Sequence, residues 1–201
     1  MSAQPKYRYT PEEYLAMERS APEKHEYFDG KIFQMSGASY AHNVVCANLV
    51  STLRPSLRKQ NCDVVSNDLR VHIPATGLYT YPDVVVLCGQ AQFLDNILDT
   101  LLNPVALIEV LSPTTEQYDR TTKFDHYRSI PSLKEYILVS LAKPRIECFR
   151  RNQDNSVPPE NMIWSYHTAT SLEDSAKLDS TQTILSLREV YERIDFTGED
   201  L

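Results

Sequence analysis

Glycine is scarce in this chain, with 5 among 201 residues, while proline reaches 12. That imbalance excludes glycine-rich flexible linkers and low-complexity tracts, and no internal repeat period stands out. Long apolar runs are missing too. No stretch approaches the roughly 20 apolar residues of a membrane span, and the segment from Met1 to Glu13 has no apolar core of the kind a signal peptide carries. These absences predict a cytoplasmic protein with no membrane partner. The four cysteines, at positions 46, 62, 88 and 148, form no CxxC pair, and no histidine stands at finger spacing from them. Zinc is therefore not expected, and four reduced, buried thiols are. An excess of basic charge is also missing. The formal net charge of −7 weighs against indiscriminate, tight binding to nucleic acid, which rests on neutralising phosphates with Lys and Arg. It leaves room for an acidic metal site, whose bound cations restore positive charge locally.

What is present suits a folded core. Hydrophobic residues make up 42% and charged residues 23%, ordinary values for a globular chain. The length predicts one domain over residues 1–201, with a core of about 9–194 and no internal boundary. Thr10-Pro11-Glu12-Glu13 reads as a helix start, with Thr10 as cap and Glu13 completing a capping box. Two β-prone runs, His25 to Phe28 and Lys31 to Met35, flank Asp29-Gly30, a strong hairpin signal. Residues 39–59 carry apolar side chains at Val45, Leu49 and Leu53, the stripe of a helix buried on one side, with Pro55 as a point of kinking or shortening. Asp63 to Ser66 and Leu69 to Ile73 read as strands around Asn67-Asp68. Pro82 to Leu87 and Val105 to Leu111 are near-continuous apolar runs, the mark of strands covered on both faces. Residues 90–102 read as a loop with a short helix. Residues 114–129 form a crossover helix ended before Pro131. Lys134 to Leu141 is another strand, Arg145 to Arg150 and Met162 to His167 an antiparallel pair around a polar loop at 151–160, and Ser186 to Ile194 a closing helix. The order predicts an α/β fold with one mixed sheet and helices on its faces.

Two acids interrupt the apolar strands. Asp83 opens the first and Glu109 sits late in the second. An ionised carboxylate in such a strand is costly unless it is paired or binds a cation. If the strands are neighbours, both carboxylates can converge on one point, the hard-oxygen surrounding that Mg²⁺ prefers. Either acid alone fits equally a strand-end cap or an arginine partner. Glu26, just before the hairpin turn, is a third candidate acid or a solvated hairpin residue. Lys123 lies between Asp119 and Tyr127 at i−4 and i+4 on the crossover helix. It is either half of a surface pair with Asp119 or an amine aimed back at the strand ends. His42, at the start of the long helix, fits contact with a phosphate, contact with an acidic site residue, or a structural role. Arg54, Arg58 and Lys59 read as a basic helical surface or as a solvated face.

The ordered set of pieces carries a family resemblance. It runs His25-Glu26-Tyr27-Phe28-Asp29-Gly30-Lys31-Ile32, His42, Tyr81-Pro82-Asp83-Val84-Val85-Val86, Leu107-Ile108-Glu109-Val110-Leu111-Ser112-Pro113-Thr114, Asp119, Lys123, Tyr127, and Pro131 to Val139. This pattern resembles the PD-(D/E)xK nuclease superfamily. More closely it is similar to a bacterial family of restriction-endonuclease-like proteins classed as a domain of unknown function, over about Tyr9 to Ile194. The resemblance implies a restriction-endonuclease-like mixed β-sheet flanked by helices. It implies Asp83 and Glu109 as metal ligands, Glu26 as an accessory catalytic acid, and Mg²⁺, with Mn²⁺ as a substitute, as cofactor. One position departs from the superfamily: Leu111 stands where its lysine belongs, two residues after the second acid. The closer family takes that lysine from the following helix, which points to Lys123. His42, Asp119 and Tyr127 are accessory candidates. The function implied is endonucleolytic hydrolysis of phosphodiester bonds in DNA, with a homodimer addressing the two strands. The rival reading is a catalytically silent module that keeps the nuclease fold and binds nucleic acid or protein. The acidic net charge and the lack of a basic stripe favour that rival.

Overall fold

The computed structural model describes residues 7–152, 157–158 and 161–196. Helix α1 spans Pro11–Glu18. The Thr10 hydroxyl accepts from the Glu13 amide at 3.2 Å, and the Glu13 carboxylate accepts from the Thr10 amide at 2.8 Å. The expected capping box is therefore formed, and it satisfies two donors that a helix start leaves orphaned. Strands β1 (His25–Phe28) and β2 (Lys31–Gln34) pair antiparallel around Asp29-Gly30. Both turn residues have positive φ, 48° and 73°, as a type I′ hairpin requires.

Helix α2 (Tyr40–Leu57) is capped by the Ser39 hydroxyl and buries His42, Val45, Cys46, Leu49, Leu53 and Leu57 on one face. Pro55 lies inside the helix two residues before its end. The helix runs to Leu57 and tightens into a 3₁₀ turn over Arg58–Gln60. Asn61 then reverses the chain in a left-handed conformation.

The strands that follow are β3 (Cys62–Ser66), β4 (Arg70–Ile73), β5 (Leu78–Thr80), β6 (Val84–Cys88), β7 (Thr100–Leu101) and β8 (Ala106–Leu111). A helical crossover consists of α3 (Glu116–Tyr118), a π turn (Asp119–Lys123) and α4 (Phe124–Tyr127). Then come β9 (Glu135–Ser140), β10 (Ile146–Arg151), β11 (Trp164–Ala169), β12 (Ser175–Leu178), β13 (Thr183–Ser186) and α5 (Leu187–Val190).

A six-stranded sheet has the order β11-β10-β9-β8-β6-β3. Its β8–β9 pair is parallel and joined by the helical crossover, whereas β6–β8, β3–β6, β9–β10 and β10–β11 are antiparallel. This is the expected mixed sheet, with both apolar runs inside it. Alternate residues of β8 serve two cores. Ala106, Ile108 and Val110 pack with α2 through Val45, Leu49 and Leu53. Leu107 and Leu111 face the other way, toward Tyr127, Tyr136 and the residues Val71, Ile73 and Leu78. Burying one such leucine or isoleucine contributes about 1.5–3 kcal/mol, so the two-sided burial holds this strand firmly.

Several expectations need correction. The protein has more than one sheet: β2-β1-β5-β4-β7 form a second, five-stranded one, and β12–β13 a separate hairpin. Strands β3 and β4, adjacent in sequence, belong to different sheets, because Asn67 at φ 65° turns the chain between them. Residues 90–102 contain no helix; they carry β7 and a lone bridge between Phe93 and Leu101. Strands of two to four residues such as β5, β7, β12 and β13 show too little alternation to be read from sequence. The closing helix shortens to Leu187–Val190 because Thr183 to Ser186 is taken by a strand. The polar loop at 151–160 lies partly outside the described residues. Cys62 and Cys88 are not free thiols. They face each other across β3–β6 and form a disulfide, leaving Cys46 and Cys148 reduced and buried. A separation of 26 residues gives no hint of that pairing; strand register brings it about. Among the described residues no helix is long and apolar enough to cross a membrane.

The hairpin turn offers a direct check. A Cβ on Gly30 would lie 2.7 Å from the Arg8 Cβ, and the glycine's φ of 73° is unfavourable for any side chain. Gly30→Ala should cost about 1–3 kcal/mol of stability, read as a lowered midpoint in urea unfolding.

Candidate active site

Asp83 stands one residue before β6. It lies just beyond the last register pair, Val84↔Ile108, near enough to Glu109 for its charge to act on that carboxyl. The Asp83 Oδ2 accepts from the Val110 amide at 2.8 Å, which ties the carboxylate to β8. Because Asp83 lies at the very end of the strand, α2 also reaches it. His42 Nε2 is 3.1 Å from Asp83 Oδ2, and Cys46 Sγ is 3.6 Å from His42 Nδ1.

Glu109 is the most enclosed of the acids. Its Oε1 receives the Tyr127 hydroxyl at 2.7 Å and the Lys123 ammonium at 2.9 Å. Lys123 Nζ also lies 3.4 Å from Asp119 Oδ1 and 3.6 Å from Glu26 Oε1. The Thr80 hydroxyl donates to the same Glu26 oxygen. Glu26 comes from the five-stranded sheet, Asp83 and Glu109 from the six-stranded one, and the other three from the crossover. The Asp119 main chain is held by the Tyr136 hydroxyl at 3.0 Å. A π turn over Asp119–Lys123 widens the helix where its side chains turn inward, and such turns recur at functional sites.

The cluster opens to solvent on one side. The side chains of Lys123, Glu109 and Asp119 are 4–6% exposed, Glu26 14% and Asp83 21%. Three carboxylates, Glu109, Asp119 and Glu26, therefore surround a single lysine, and Asp83 stands nearby. Burial pushes the Glu109 carboxyl up to about 8; Lys123 works against that rise, and Asp83 and Asp119 add to it. Burial likewise raises Asp119, again opposed by Lys123. For Lys123, burial disfavours the charge, but Glu109, Glu26 and Asp119 outweigh it and hold the pKa well above the usual lysine value. The amine is an ammonium at any neutral pH. Burial, with Asp83 and Glu109 beside it, raises the Cys46 thiol, so it is no nucleophile. Excess negative charge in a partly open, hard-oxygen setting is what a divalent cation relieves. The donor set around Asp83 and Glu109 fits such an ion.

All seven residues singled out in the sequence thus fall in one region. Six form the Glu109–Lys123 cluster and the Asp83 position near it, and His42 touches Asp83 from behind. Lys123 makes the inward contacts and not a surface pair. Leu111 is buried in the apolar core, and the amine beside Glu109 comes from the crossover. Thr80 and Cys46 were missed. The spacing of four residues from His42 to Cys46 on a helix was the one available signal. Arg54, Arg58 and Lys59 have no part in the cluster. A separate cleft of about 330 Å³ lies between β10, β11 and β12, lined by Arg150, His167 and Lys177. Its strongest cations are already paired, Arg150 with Glu135 and Asp179, and Lys177 with Asp179.

The family model described as "Uma2: Putative restriction endonuclease" matches residues 11–183. "Uncharacterized protein slr1290" of Synechocystis sp. is 37% identical over 166 residues, covering 83% of this chain and 84% of the relative. "Uncharacterized protein sll1609" of the same organism is 35% identical over 145 residues, covering 72% and 82%. The crystal structure of a putative nuclease belonging to DUF820 from Anabaena variabilis superposes with a TM-score of 0.70 at 18% identity, over 90% of this chain and 96% of that one. That likeness bears out the expected fold.

The Glu109 shift has a measurable consequence. The carboxyl keeps its proton up to about 8 in the fold and loses it near 4.5 when unfolded. The native state then binds more protons across that window, so stability falls as pH rises through it. Chelator-treated protein should lose stability to urea between about pH 5 and pH 8. Glu109→Gln, which keeps the shape without the titration, should flatten that slope.

Proposed function

The chain belongs to the Uma2 family of putative restriction endonucleases, and from that premise we propose that it is a Mg²⁺-dependent nuclease hydrolysing phosphodiester bonds of DNA at the Asp83–Glu109–Lys123 cluster. Residues 9–194 act as one domain in this reading. One observation carries it: Lys123 Nζ stands 2.9 Å from Glu109 Oε1, and Asp83 lies near enough for its charge to act on the same carboxyl. An acid pair on adjacent strands with a lysine at hand is the arrangement a PD-(D/E)xK-type centre needs, with the lysine borne by the crossover and not by the strand.

Asp83 and Glu109 would hold the cation, and Mn²⁺ would substitute for Mg²⁺ through the same oxygens. When bound, the ion supplies Lewis acidity and neutralises charge at the phosphate. The remaining work belongs to the chain. The recorded hydrogen bonds engage Asp83 Oδ2 and Glu109 Oε1, which fixes both carboxylates. Lys123, held as an ammonium, acts as a hydrogen-bond donor and a positive charge and not as a base. It steadies negative charge building on the phosphoryl oxygens. Tyr127 keeps Glu109 oriented. Glu26 and Asp119 anchor the lysine, and Glu26 is the more exposed of the two. Two copies about a two-fold axis would address the two strands of a duplex.

The test is cleavage of supercoiled plasmid with Mg²⁺ or Mn²⁺, with folding checked by circular dichroism. Asp83→Asn and Lys123→Met should each lower the rate by about 10²–10³-fold. EDTA should abolish cleavage. Equal rates in wild type and both variants would falsify the assignment, and DNA binding without any metal-dependent cleavage would favour the silent module.

A further inference from the structure

His42 and Cys46 stand one turn apart on the buried face of α2, and neither takes part in the proposed hydrolysis. Asp83 meets them from the start of β6. One ligand atom from each of the three lies within 4.8 Å of the other two. The His42 Nε2 to Asp83 Oδ2 separation is 3.1 Å, and Cys46 Sγ lies 3.6 Å from the other ring nitrogen, Nδ1. A single ion bonds to one of the two nitrogens. A tetrahedral zinc ion with bonds of about 2.0–2.3 Å has ligand-to-ligand edges of about 3.3–3.8 Å. The widest edge of the triangle drawn through one nitrogen, at most 4.8 Å, must therefore narrow by about 1 Å through side-chain rotation. We propose that His42, Cys46 and Asp83 form a second, softer metal site that takes a thiolate-preferring divalent ion such as Zn²⁺ or Co²⁺.

The chemistry of the donors separates this site from the acid pair. Carboxylates alone suit Mg²⁺, whereas sulfur, imidazole nitrogen and one carboxylate together suit the later transition metals. Two of the ligands come from one rigid helix at i and i+4, so their spacing is set before the ion arrives. Three protein ligands leave a fourth position for water or another small ligand. The Asp83 side chain, 21% exposed, gives the ion a way in. In the absence of metal the same groups form a hydrogen-bonded chain from Cys46 through His42 to Asp83. Metal binding replaces that chain and displaces the thiol proton. The expectation against zinc looked only for cysteine pairs and finger-spaced histidines; the third ligand here is 41 residues from His42 and joins through the fold. The site also shares a carboxylate with the proposed hydrolytic centre. Resting on that reading, a soft ion would hold Asp83 and depress Mg²⁺-supported cleavage.

The test uses the full chain without reductant, so that Cys62 and Cys88 stay bonded, with Co²⁺ alone as the probe. A sulfur-to-cobalt charge-transfer band in the near ultraviolet should grow and saturate at one equivalent. It should be lost in Cys46→Ser, Cys46→Ala and His42→Gln, each checked for a native-like melting transition, and kept in Glu109→Gln. No band in wild type, or a band that survives both Cys46 variants, overturns the site. In the plasmid assay, Zn²⁺ should depress Mg²⁺-supported cleavage in wild type and do so far less in Cys46→Ser; equal sensitivity overturns the sharing of Asp83. If plasmid is never cleaved, the nuclease reading fails, and the cobalt band still decides the metal site.

Discussion

The contact between Lys123 and Glu109 is the constraint around which the centre of the molecule is arranged. Both side chains are nearly sealed from water, and leaving the buried ammonium without its partners typically costs about 3–5 kcal/mol. Such a pair survives only with further hydrogen bonds. Tyr127 supplies one to Glu109, while Asp119 and Glu26 supply counter-charge to Lys123. Tyr127 and Asp119 come from the crossover and Glu26 from the hairpin, so the pair fixes the crossover against the six-stranded sheet and the β1–β2 hairpin against both. Replacing the cluster by apolar residues would make an easier core.

The scaffold serves that pair by leaving it no freedom. Parallel pairing of β8 with β9 demands a crossover, and the crossover must land its inner face on the β8 surface that carries Glu109. The π turn sets Lys123 and Tyr127 so that both reach one oxygen. On the opposite side, α2 brings His42 to Asp83 because the strand start lies at the end of the sheet, where both faces are within reach. Asp83 is therefore the joint between two environments, one rich in oxygen and one containing sulfur and nitrogen.

Much of this was legible beforehand. The capping box at Thr10, the Asp29-Gly30 turn and the α2 stripe are local signals, and each formed as read. The two apolar runs marked the inner strands, and the acids within them marked the site, because a charge in such a run demands an explanation. What stayed hidden is non-local or short. In the five-stranded sheet, β5 and β7, of three and two residues, are too brief to detect, and their pairing with β1 and β4 is long-range. The disulfide depends on the β3–β6 register. The direction in which Lys123 points could not be chosen between solvent and core from an i, i+4 row alone.

The amino-acid sequence by itself determined the element types, the inner strands and the set of side chains capable of chemistry, since periodicity, capping and turn preferences act over a few residues. Only the tertiary structure decided which of those side chains meet. Convergence of Glu26, Asp83, Glu109 and Lys123 depends on strand order and on burial, and burial, with the neighbouring charges, decides which of these groups keeps its proton. Those are properties of the packed chain and have no counterpart in any local stretch of it.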